Sequence, residues 1–520
     1  MKHTRKIVFF ITLFFVICMF SLIHNGVDRD IWHRLAVGSM FFQTGWILNH
    51  DIFAYTPTKD MWIDHEWGSG VIFYFLSNHF GDYGLIGLKV ILAFAVLSLI
   101  LASNQLITTD KKYRISFYIL TLVALWPGYG STIRCQLFTY LFFTLWVYIL
   151  ERIRRGENRF IWIFPATMLL WVNLHGGFVA GLGLLGLYTV GEFLNRKNPV
   201  KYLKIIALTL PVTLINPYGI KFWHYMIEAI TMPRPYITEW EPLNLFDKPG
   251  DWIGFKILLV MTILSFGYKL ISKTKKLDWT EITLVVVTLI LSIRQERQAI
   301  FFVIIAAIFT YQHFYSAINS LFGEYLGKFR NIFSEKQFEL INFAREYTVY
   351  MVILLLSIAN CIKISHLTVV KPADYPVAAI EFIKINNLKG NLLVPFNWGS
   401  YALWKLHPQC LVSLDGRYEE VYTNEIYLDV SNFFFGYDKP QKVLNKYHTD
   451  IILAENNSKA YNSLKSLKDW KIIYEDKYAA VLIPSSDNHN KWILPDKGIE
   501  YSRTKYLSNI NSLFQYSDTQ

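Results

Sequence analysis

Carboxylate, imidazole and guanidinium side chains lie together directly after the first apolar run of the chain. The stretch HNGVDRDIWHRLAVG, residues 24–38, supplies Asp28, Asp30 and His33. This set of residue types suits a reaction in which a base activates a nucleophile while cations stabilise a departing phosphate. Similar residue types recur beside later apolar runs: Asp64, His65 and Glu66 in WIDHEWGSG, Arg134 and Gln136 in STIRCQLF, His175 in WVNLHGGF, Asn216 and Tyr218 in INPYG, Glu239 and Glu241 in ITEWEP, and Arg294, Glu296 and Arg297 in SIRQERQ.

Each of these positions also has an ordinary structural interpretation. A carboxylate beside a helix start, such as Asp30 or Asp64, is typical of a cap. Arg134 and Arg294 suit side chains that snorkel from a membrane end, and His175 suits a tight turn beside glycines. The functional hypothesis therefore depends on these residues meeting at one place in the folded chain.

The elements that must position these residues are predicted to be membrane helices. The 520 residues are 53% hydrophobic and 17% aromatic, with a mean hydropathy of +0.27, which exceeds what one soluble core needs. The net charge of +11 comes from short Lys and Arg clusters between apolar runs. That pattern indicates membrane topology and argues against a nucleic-acid partner. The four cysteines lie apart, so no disulfide framework is predicted.

Eleven transmembrane spans follow from the apolar runs and the positive-inside rule. This topology places the N-terminus in the cytoplasm, the C-terminus outside, and all the ionisable positions above on the extracytoplasmic side. Arg134 and Arg294 break the positive-inside trend there, so they need an anionic partner or a polar cavity. The predicted spans lie near residues 7–24, 84–107, 115–128, 133–151, 160–175, 177–194, 203–216, 253–272, 280–294, 298–317 and 348–366.

Two parts of the chain are predicted to lie outside the membrane. Residues 25–83 form the first extracytoplasmic loop, in which Trp32 to Gln43 carries one interfacial helix and Glu66 to His79 another. In residues 368–485, short strand-like runs alternate with helical pieces, which predicts a small α/β domain. Residues 1–367 are then the multispanning domain, and residues 486–520 a polar tail.

The order of the motifs resembles that of bacterial integral membrane proteins in the GT-C glycosyltransferase superfamily. The motifs concerned are DRDIWHRLAVG, WIDHEWGSG, RCQLF, NLHGGF, NPYG, EW and RQERQ, followed by NWGSYALWKL and LDGRYEEVY, and they extend from about residue 25 to 485. The resemblance implies a GT-C-like α-helical polytopic fold with a C-terminal extracytoplasmic α/β domain. It also implies an enzyme of the inner (plasma) membrane. The implied partners are a polyprenyl-phosphate-linked sugar donor, an envelope glycan, lipid or protein acceptor, and the bilayer.

The resemblance also implies roles for individual residues. GT-C enzymes keep an essential acidic residue in the first extracytoplasmic loop, and Asp28 and Asp30 match it. We prefer Asp30 as the general base, because it lies at a helix start in register with His33. The catalytic candidates are Asp30, Asp28 and Glu66; the substrate-binding candidates are His33, His65, Arg134, Gln136, His175, Arg294 and Arg297, of which the arginines and His175 would meet the departing phosphate.

Two assignments keep an alternative at this stage. His65 and Glu66 either support the residues that touch the substrate or, with Asp30 and His33, bind a manganese, magnesium or zinc ion; their spacing alone establishes no metal. The C-terminal domain carries a further polar cluster, which is either a buried Asp–Arg pair that stabilises the domain or a surface for acceptor recognition. Its members are Asn397, Trp398, Tyr401, Asp415 and Arg417.

Two other classes of protein compete with the transferase. A lipid-linked glycan or polysaccharide transporter would place ionisable groups near the midplane on broken helices, whereas the predicted span interiors here are nearly free of charge. A non-catalytic membrane scaffold for envelope assembly would tolerate neutralisation of Asp30, which a transferase would not.

Overall fold

The chain is mostly α-helical, with one small sheet near its C-terminal end. The computed structural model describes residues 2–23, 26–108, 114–130, 133–232, 237–246, 251–272, 277–330, 334–363, 370, 374–456, 458–487 and 492–494. Most of the predicted tail and the end of the eleventh predicted span lie outside these ranges. Within them, the helices that precede the sheet are α1 (Lys2–Ile23), α2 (Ile31–Thr44), α3 (Trp67–Ile107), α4 (Arg114–Leu125), α5 (Gln136–Arg154), α6 (Ile163–Leu174), α7 (Phe178–Leu194), α8 (Val200–Thr209), α9 (Ile220–Thr231), α10 (Ile253–Ser272), α11 (Trp279–Arg294), α12 (Ala299–Arg330) and α13 (Glu335–Lys363).

Helices occupy each interval that was predicted to span a membrane, and a predominantly helical fold is confirmed. By length and apolar composition, three helical segments of the described residues are suited to cross a membrane: Trp67–Ile107, Ile253–Ser272 and Glu296–Phe322. Shorter apolar helices lie at Ile7–Leu22, Ser116–Tyr129, Phe178–Leu194 and Tyr347–Ile362. The count of eleven spans therefore stays a prediction.

Helix α12 forms the centre of the helical domain. Residues 299–310 are buried on every side, because this part of the helix is apolar all round and is packed against α3, α4, α10 and α11. Charged side chains lie at one end of this centre. They come from the start of α5, the end of α11 and the 3₁₀ turn at Glu296–Gln298, which directly precedes α12.

The first loop contains the two helices expected from the sequence. Helix α2 packs along the first half of α3, and the backbones approach closely where Gly38 faces Gly70. The break in α3 falls at Gly81, whose φ of 55° favours glycine. This break separates the predicted interfacial helix from the long apolar helix that follows it.

A five-stranded sheet forms the core of the predicted C-terminal α/β domain. Its order is β2-β1-β3-β5-β4; β1 is parallel to β2 and β3, whereas β5 is antiparallel to β3 and β4. Strand β3 reads IILAE and is buried on both faces, as expected for a strand covered by helices. The elements are α14 (Val377–Ile385), β1 (Gly390–Leu393), α15 (Phe396–Leu406), β2 (Cys410–Val412), α16 (Tyr418–Val421), α17 (Asn424–Phe435), α18 (Pro440–Lys446), β3 (Ile451–Glu455), α19 (Lys459–Leu464), β4 (Trp470–Glu475) and β5 (Ala479–Pro484).

The first loop extends the free edge of this sheet. The amide of Val412 donates to the carbonyl of Phe53 at 2.9 Å, and the amide of Tyr55 donates back to Val412 at 3.2 Å. The amide of Lys59 then donates to Val421 at 2.8 Å. Because the edge strand β2 is paired with the loop, the C-terminal domain is fixed directly over α2 and the start of α3.

Candidate active site

A cavity of about 970 Å³ lies between the helical domain and the C-terminal domain. The first loop, the start of α5, the 3₁₀ turns at Thr238–Trp240 and Glu296–Gln298, and the C-terminal domain all contribute to its wall. Most of the predicted site residues reach it. Its described charged lining comprises the carboxylates of Asp28, Asp30, Glu66, Glu239, Glu419, Glu420 and Glu455, the guanidiniums of Arg29, Arg34, Arg134 and Arg297, and the imidazoles of His33 and His65.

Asp28 and Arg134 form an ion pair at the entrance to α2. The Arg134 Nε lies 3.1 Å from an oxygen of Asp28, and its two terminal nitrogens bind both oxygens of Glu239. The need of Arg134 for an anionic partner is thus met within the protein. The other oxygen of Asp28 accepts a hydrogen bond of 3.0 Å from the amide of Asp30. Asp28 therefore connects Arg134 to the start of α2.

Asp30 faces the cavity and forms no ion pair with any described residue. Its side chain is open to cavity water, but the surrounding protein limits its solvation. Burial within these walls and the charge of Asp28 raise the pKa of Asp30 to about 7. A carboxylate with such a pKa can take up a proton near neutral pH.

Arg34 is the centre of a buried network of charges. Its guanidinium contacts Asp64, lies 2.8 Å from Glu66 and donates to Glu420 at 3.0 Å. Burial would disfavour the cation, but these three carboxylates outweigh that cost and raise the pKa of Arg34 further. Asp64 also accepts a hydrogen bond from the amide of Glu66 at 3.0 Å. This network fixes the end of the first loop against α2 and the C-terminal domain.

Glu66 lies between two histidines whose pKa values shift in opposite directions. Burial disfavours a charge on Glu66, yet Arg34 and His65 outweigh it and lower the pKa of Glu66 to about 2. The charges of Glu66 and Glu420 likewise outweigh burial and raise the pKa of His65. Burial instead lowers the pKa of His175 to about 3, so this imidazole is neutral.

His175 stands behind the cavity wall. Its Nδ1 accepts a hydrogen bond of 2.9 Å from the amide of Gly177 and lies 2.7 Å from the hydroxyl of Thr139. The proton of the neutral ring is therefore on Nε2, which lies 3.2 Å from Glu66. His175 reaches the cavity only through Glu66, and it is not part of the described lining.

His33 faces the C-terminal domain. Its Nδ1 lies 3.2 Å from the hydroxyl of Ser400, which also accepts a hydrogen bond of 3.0 Å from the amide of Gly416. A Cβ on Gly416 would lie 3.1 Å from Asp30 Oδ1 and 3.3 Å from His33 Nδ1. Glycine at this position therefore allows the LDGRY loop to approach both side chains closely.

Of the two predicted arginines in the SIRQERQ motif, Arg297 lines the cavity and Arg294 does not. Arg297 lines the cavity with its guanidinium 5.1 Å from the ring of Trp240, and no carboxylate among the described residues pairs with it. Arg294 is the exposed last residue of α11 and does not line the described cavity wall. Gln136, at the start of α5, does line it.

In the polar cluster of the C-terminal domain, Asn397 lines the cavity, whereas Asp415 and Arg417 form a buried pair. Arg417 is fully buried between Asp415 and Asp51, at 2.6 Å from an oxygen of each. This geometry is that of a stabilising pair that also connects the domain to the first loop. Asn397 lines the cavity and accepts a hydrogen bond of 2.5 Å from Arg29. Trp398 and Tyr401 are buried.

Sequence reasoning missed the contribution of Glu420 and Gly416 to the site. Both belong to the LDGRYEEVY motif, which the sequence analysis noted without assigning these two residues to the cavity. Asp51 was also missed, since nothing near it in sequence signals a partner. The contact of Arg34 with Glu420 joins residues 386 positions apart, and no local pattern reports such a pair.

The described residues do not form a metal site in this geometry. Among them, no group of three or more His, Cys, Asp or Glu side chains is arranged to hold an ion. Asp28 is paired with Arg134, and Glu66 with Arg34 and His65. We therefore derive no catalytic step through a metal.

Solved structures of an archaeal enzyme are similar to this chain in fold. The oligosaccharyltransferase of Archaeoglobus fulgidus in its apo form matches with a TM-score of 0.59 and 11% identity over 86% of this chain and 69% of its own. The A. fulgidus oligosaccharyltransferase AglB in complex with an inhibitory peptide and a dolichol-phosphate also matches with a TM-score of 0.59 and 11% identity, over 87% of this chain and 69% of its own. AglB is a member of the GT-C superfamily. The chain has a GT-C fold.

A third GT-C structure agrees with the first two. The A. fulgidus enzyme tethered by a disulfide bond to an acceptor peptide with the NVT sequon matches with a TM-score of 0.55 and 10% identity, over 86% of this chain and 69% of its own. No protein-family model matches the sequence, and no curated protein matches it either. The GT-C-like fold therefore rests on the three-dimensional similarity, which agrees with a mostly helical chain that carries a small C-terminal sheet; the number of spans stays a prediction.

Proposed function

We propose that this protein is a membrane glycosyltransferase that transfers a sugar from a polyprenyl-phosphate-linked donor to an envelope glycan, lipid or protein acceptor at the extracytoplasmic face. The observation that carries the proposal is the position of Asp30. It is a carboxylate without an ion-pair partner among the described residues, with a pKa of about 7, in the large cavity of a GT-C fold. The structure of A. fulgidus AglB in complex with an inhibitory peptide and a dolichol-phosphate supports a lipid-linked donor in general.

The proposed reaction is a single displacement with inversion. Asp30 accepts the proton of an acceptor hydroxyl while that oxygen forms a bond to the anomeric carbon of the donor sugar. The bond from this carbon to the phosphate oxygen breaks, and its electron pair stays on the phosphate. Asp30 suits the role of base because its raised pKa gives it proton affinity at neutral pH, yet leaves much of it ionised there.

Arg297 is the guanidinium best placed to receive the developing phosphate charge. It lines the cavity and forms no direct ion pair with a described carboxylate, although its charge helps to lower the pKa of Glu239, whereas Arg134 contacts both Asp28 and Glu239 directly. A guanidinium offers several donors in a fixed plane and suits a phosphate oxygen pair. In this proposal Arg134 assists Arg297, while Arg294 and His175 do not touch the donor.

Neutralisation of Asp30 tests this function. We expect Asp30→Asn to abolish sugar transfer in cells, so that the envelope glycan is lost and the lipid-linked sugar accumulates. Asp60→Asn is the matched control, because Asp60 is an exposed residue of the same loop outside the described cavity wall. Both variants should reach the membrane in normal amounts. Unchanged envelope glycans in Asp30→Asn cells would refute the proposal and favour a scaffold.

The side of the membrane on which the lipid accumulates separates a transferase from a transporter. A blocked transferase leaves the lipid-linked sugar on the outer leaflet, where a membrane-impermeant oxidant such as periodate reaches it in intact cells. A blocked transporter leaves it on the cytoplasmic leaflet, where periodate reaches it only after the cells are broken open.

A further inference from the structure

The C-terminal domain lines its side of the cavity with partly exposed aromatic rings. The rings come from the first residues of α15 and α16 and from α17. Buried aromatic residues stabilise a core, but these five keep part of their surface in the cavity, and Phe435 is 58% exposed. They are Phe396, Tyr418, Tyr427, Phe434 and Phe435.

Three of these rings hold one another in place. Phe396 meets Tyr418 and Tyr427 edge-on, with ring centroids 5.6 Å apart in both cases. Tyr418 and Tyr427 lie 5.1 Å apart. Edge-to-face packing of this kind fixes ring orientation. The aromatic wall is therefore built before any ligand arrives.

Hydroxyl and carboxylate groups line the same cavity as the rings. Glu419 and Glu455 line the cavity beside this wall, together with Ser431 and Ser458. Aromatic faces pack against the C–H faces of a pyranose ring, while serine and carboxylate oxygens accept hydrogen bonds from its hydroxyls. A neutral sugar presents both kinds of surface at once, whereas an acyl or isoprenoid chain presents only an apolar one.

The opposite side of the cavity has different chemistry. Arg134 and Arg297 come from the helical domain, which also carries the apolar helices that a lipid-linked donor must approach. The C-terminal domain contributes the rings, and its own arginine, Arg417, is buried in ion pairs. The guanidinium that reaches this side of the described lining is Arg29 of the first loop, which donates to Asn397. On the C-terminal side the carboxylates of Glu419 and Glu455 line the wall, which disfavours an anionic acceptor there.

The sheet edge nearest to the cavity is closed to an added peptide strand. Extended peptides commonly bind by pairing with an exposed sheet edge. Here the edge strand β2 already pairs with Phe53 and Tyr55 of the first loop. An acceptor at this place must be recognised through side chains.

We propose that this aromatic wall is the acceptor subsite and that the acceptor is a neutral oligosaccharide bound through its pyranose faces. The inference rests on the proposed function and names its acceptor class. It predicts that the wall binds sugar without donor and without catalysis.

Saturation-transfer NMR on the full-length protein in nanodiscs tests this inference. The probes are maltotetraose, cellotetraose, tetra-N-acetylchitotetraose and oligosaccharides released from the envelope of the native cell, with a nine-residue Asn/Ser/Thr peptide and farnesol for comparison. We expect sugar signals that Phe434→Ala and Tyr427→Ala weaken about tenfold, since truncating an aromatic anchor commonly has an effect of this order. Leu428→Ala is the matched control, because Leu428 is exposed on the same helix outside the described cavity wall.

The outcomes distinguish this inference from the proposed function. Sugar binding that survives in Asp30→Asn and is lost in Phe434→Ala supports the subsite whether or not transfer occurs. Binding of the peptide or farnesol alone would overturn it, as would sugar binding that Leu428→Ala weakens as much as Phe434→Ala does. If transfer requires Asp30 but the acceptor KM does not change in Phe434→Ala, the transferase stands and the subsite falls.

Discussion

At the scale of single residues, the carboxylates around Asp30 share buried cations, whereas Asp30 forms no ion pair with any described residue. Asp64, Glu66 and Glu420 share Arg34, and Asp415 shares Arg417. A buried carboxylate in such a pair stays ionised and holds structure, because releasing its partner would leave an uncompensated charge. Asp30 is open to the cavity and has a raised pKa. It is therefore the residue whose ionisation can follow a reaction.

Under the proposed function, the ionisation of Asp30 sets the pH dependence of the rate. A base must be deprotonated to act, so kcat/KM should rise with pH and reach half of its maximum near the pKa of about 7. Asp28→Asn removes a negative charge that raises the pKa of Asp30. The positive charge of Arg134, which lowers this pKa, is then no longer offset by Asp28. We expect the acidic limb to move about one pH unit lower, measured as kcat/KM between pH 5 and 9. An acidic limb that stays in place in Asp28→Asn would contradict this assignment, and Asp60→Asn should leave it unchanged.

Stability at the residue scale depends on Arg34. Arg34→Met would leave Asp64, Glu66 and Glu420 without their shared cation, which should reduce stability by about 3–5 kcal/mol. Thermal unfolding in detergent, followed by tryptophan fluorescence, would measure the loss. A second change, Glu420→Gln, should recover part of it. Equal effects of Arg34→Met and of Arg29→Met, at an exposed arginine, would show that the network is not stabilising.

At the scale of elements, α2 carries Asp30, His33 and Arg34, and its position is set by close packing on α3. A Cβ on Gly38 would meet the carbonyl of Gly70 and lie 2.6 Å from the Cβ of Tyr74. Neither backbone nor Cβ atoms can move aside cheaply in a packed interior. The glycines in this contact therefore decide where three site residues stand.

Gly38→Ala tests the packing of α2. We expect a loss of about 1–3 kcal/mol in unfolding free energy and a matching fall in kcat, because overpacking shifts the helix that carries the base. Gly87→Ala provides the comparison, since nothing lies within 4 Å of a Cβ at that helical position. Normal stability and activity in Gly38→Ala would mean that α2 is positioned by other contacts.

At the scale of the whole molecule, the C-terminal domain completes the site. It supplies Glu420 to Arg34, Ser400 to His33 and the Gly416 loop to Asp30. Its attachment depends on the paired loop edge and on the buried contact of Arg417 with Asp51. Activity and domain docking should therefore be lost together.

Asp51→Ala tests that coupling. Loss of a partner from a buried ion pair should reduce docking stability by about 3–5 kcal/mol, and hydrogen exchange should rise in residues 51–59 and 410–422 but not in α12. Sugar transfer should fall in parallel. Asp438→Asn breaks an exposed pair with Lys442 in the same domain and should change neither quantity. If Asp51→Ala speeds hydrogen exchange at both segments but leaves activity normal, activity does not depend on the docking of the C-terminal domain, and the prediction is wrong.

Local patterns in the sequence determined the parts of this protein that depend on local physics. Long apolar runs form helices wherever they were predicted, and alternating short runs form the C-terminal sheet, because burial and hydrogen bonding act along neighbouring residues. The ends of those runs also marked Asp28, Asp30, Glu66, Arg134 and Arg297, which meet at the cavity. The number of membrane spans stays a prediction.

Only the tertiary structure decided which charges are partners. The sequence of α2 does not show that Arg34 pairs with Glu420 of the C-terminal domain. It likewise does not show that Asp51 pairs with Arg417. Arg294 and Arg297 belong to one motif, yet the helix end exposes the first and the turn directs the second into the cavity. Ion pairing depends on distance in space, and residues hundreds of positions apart leave no periodic trace of it in the sequence.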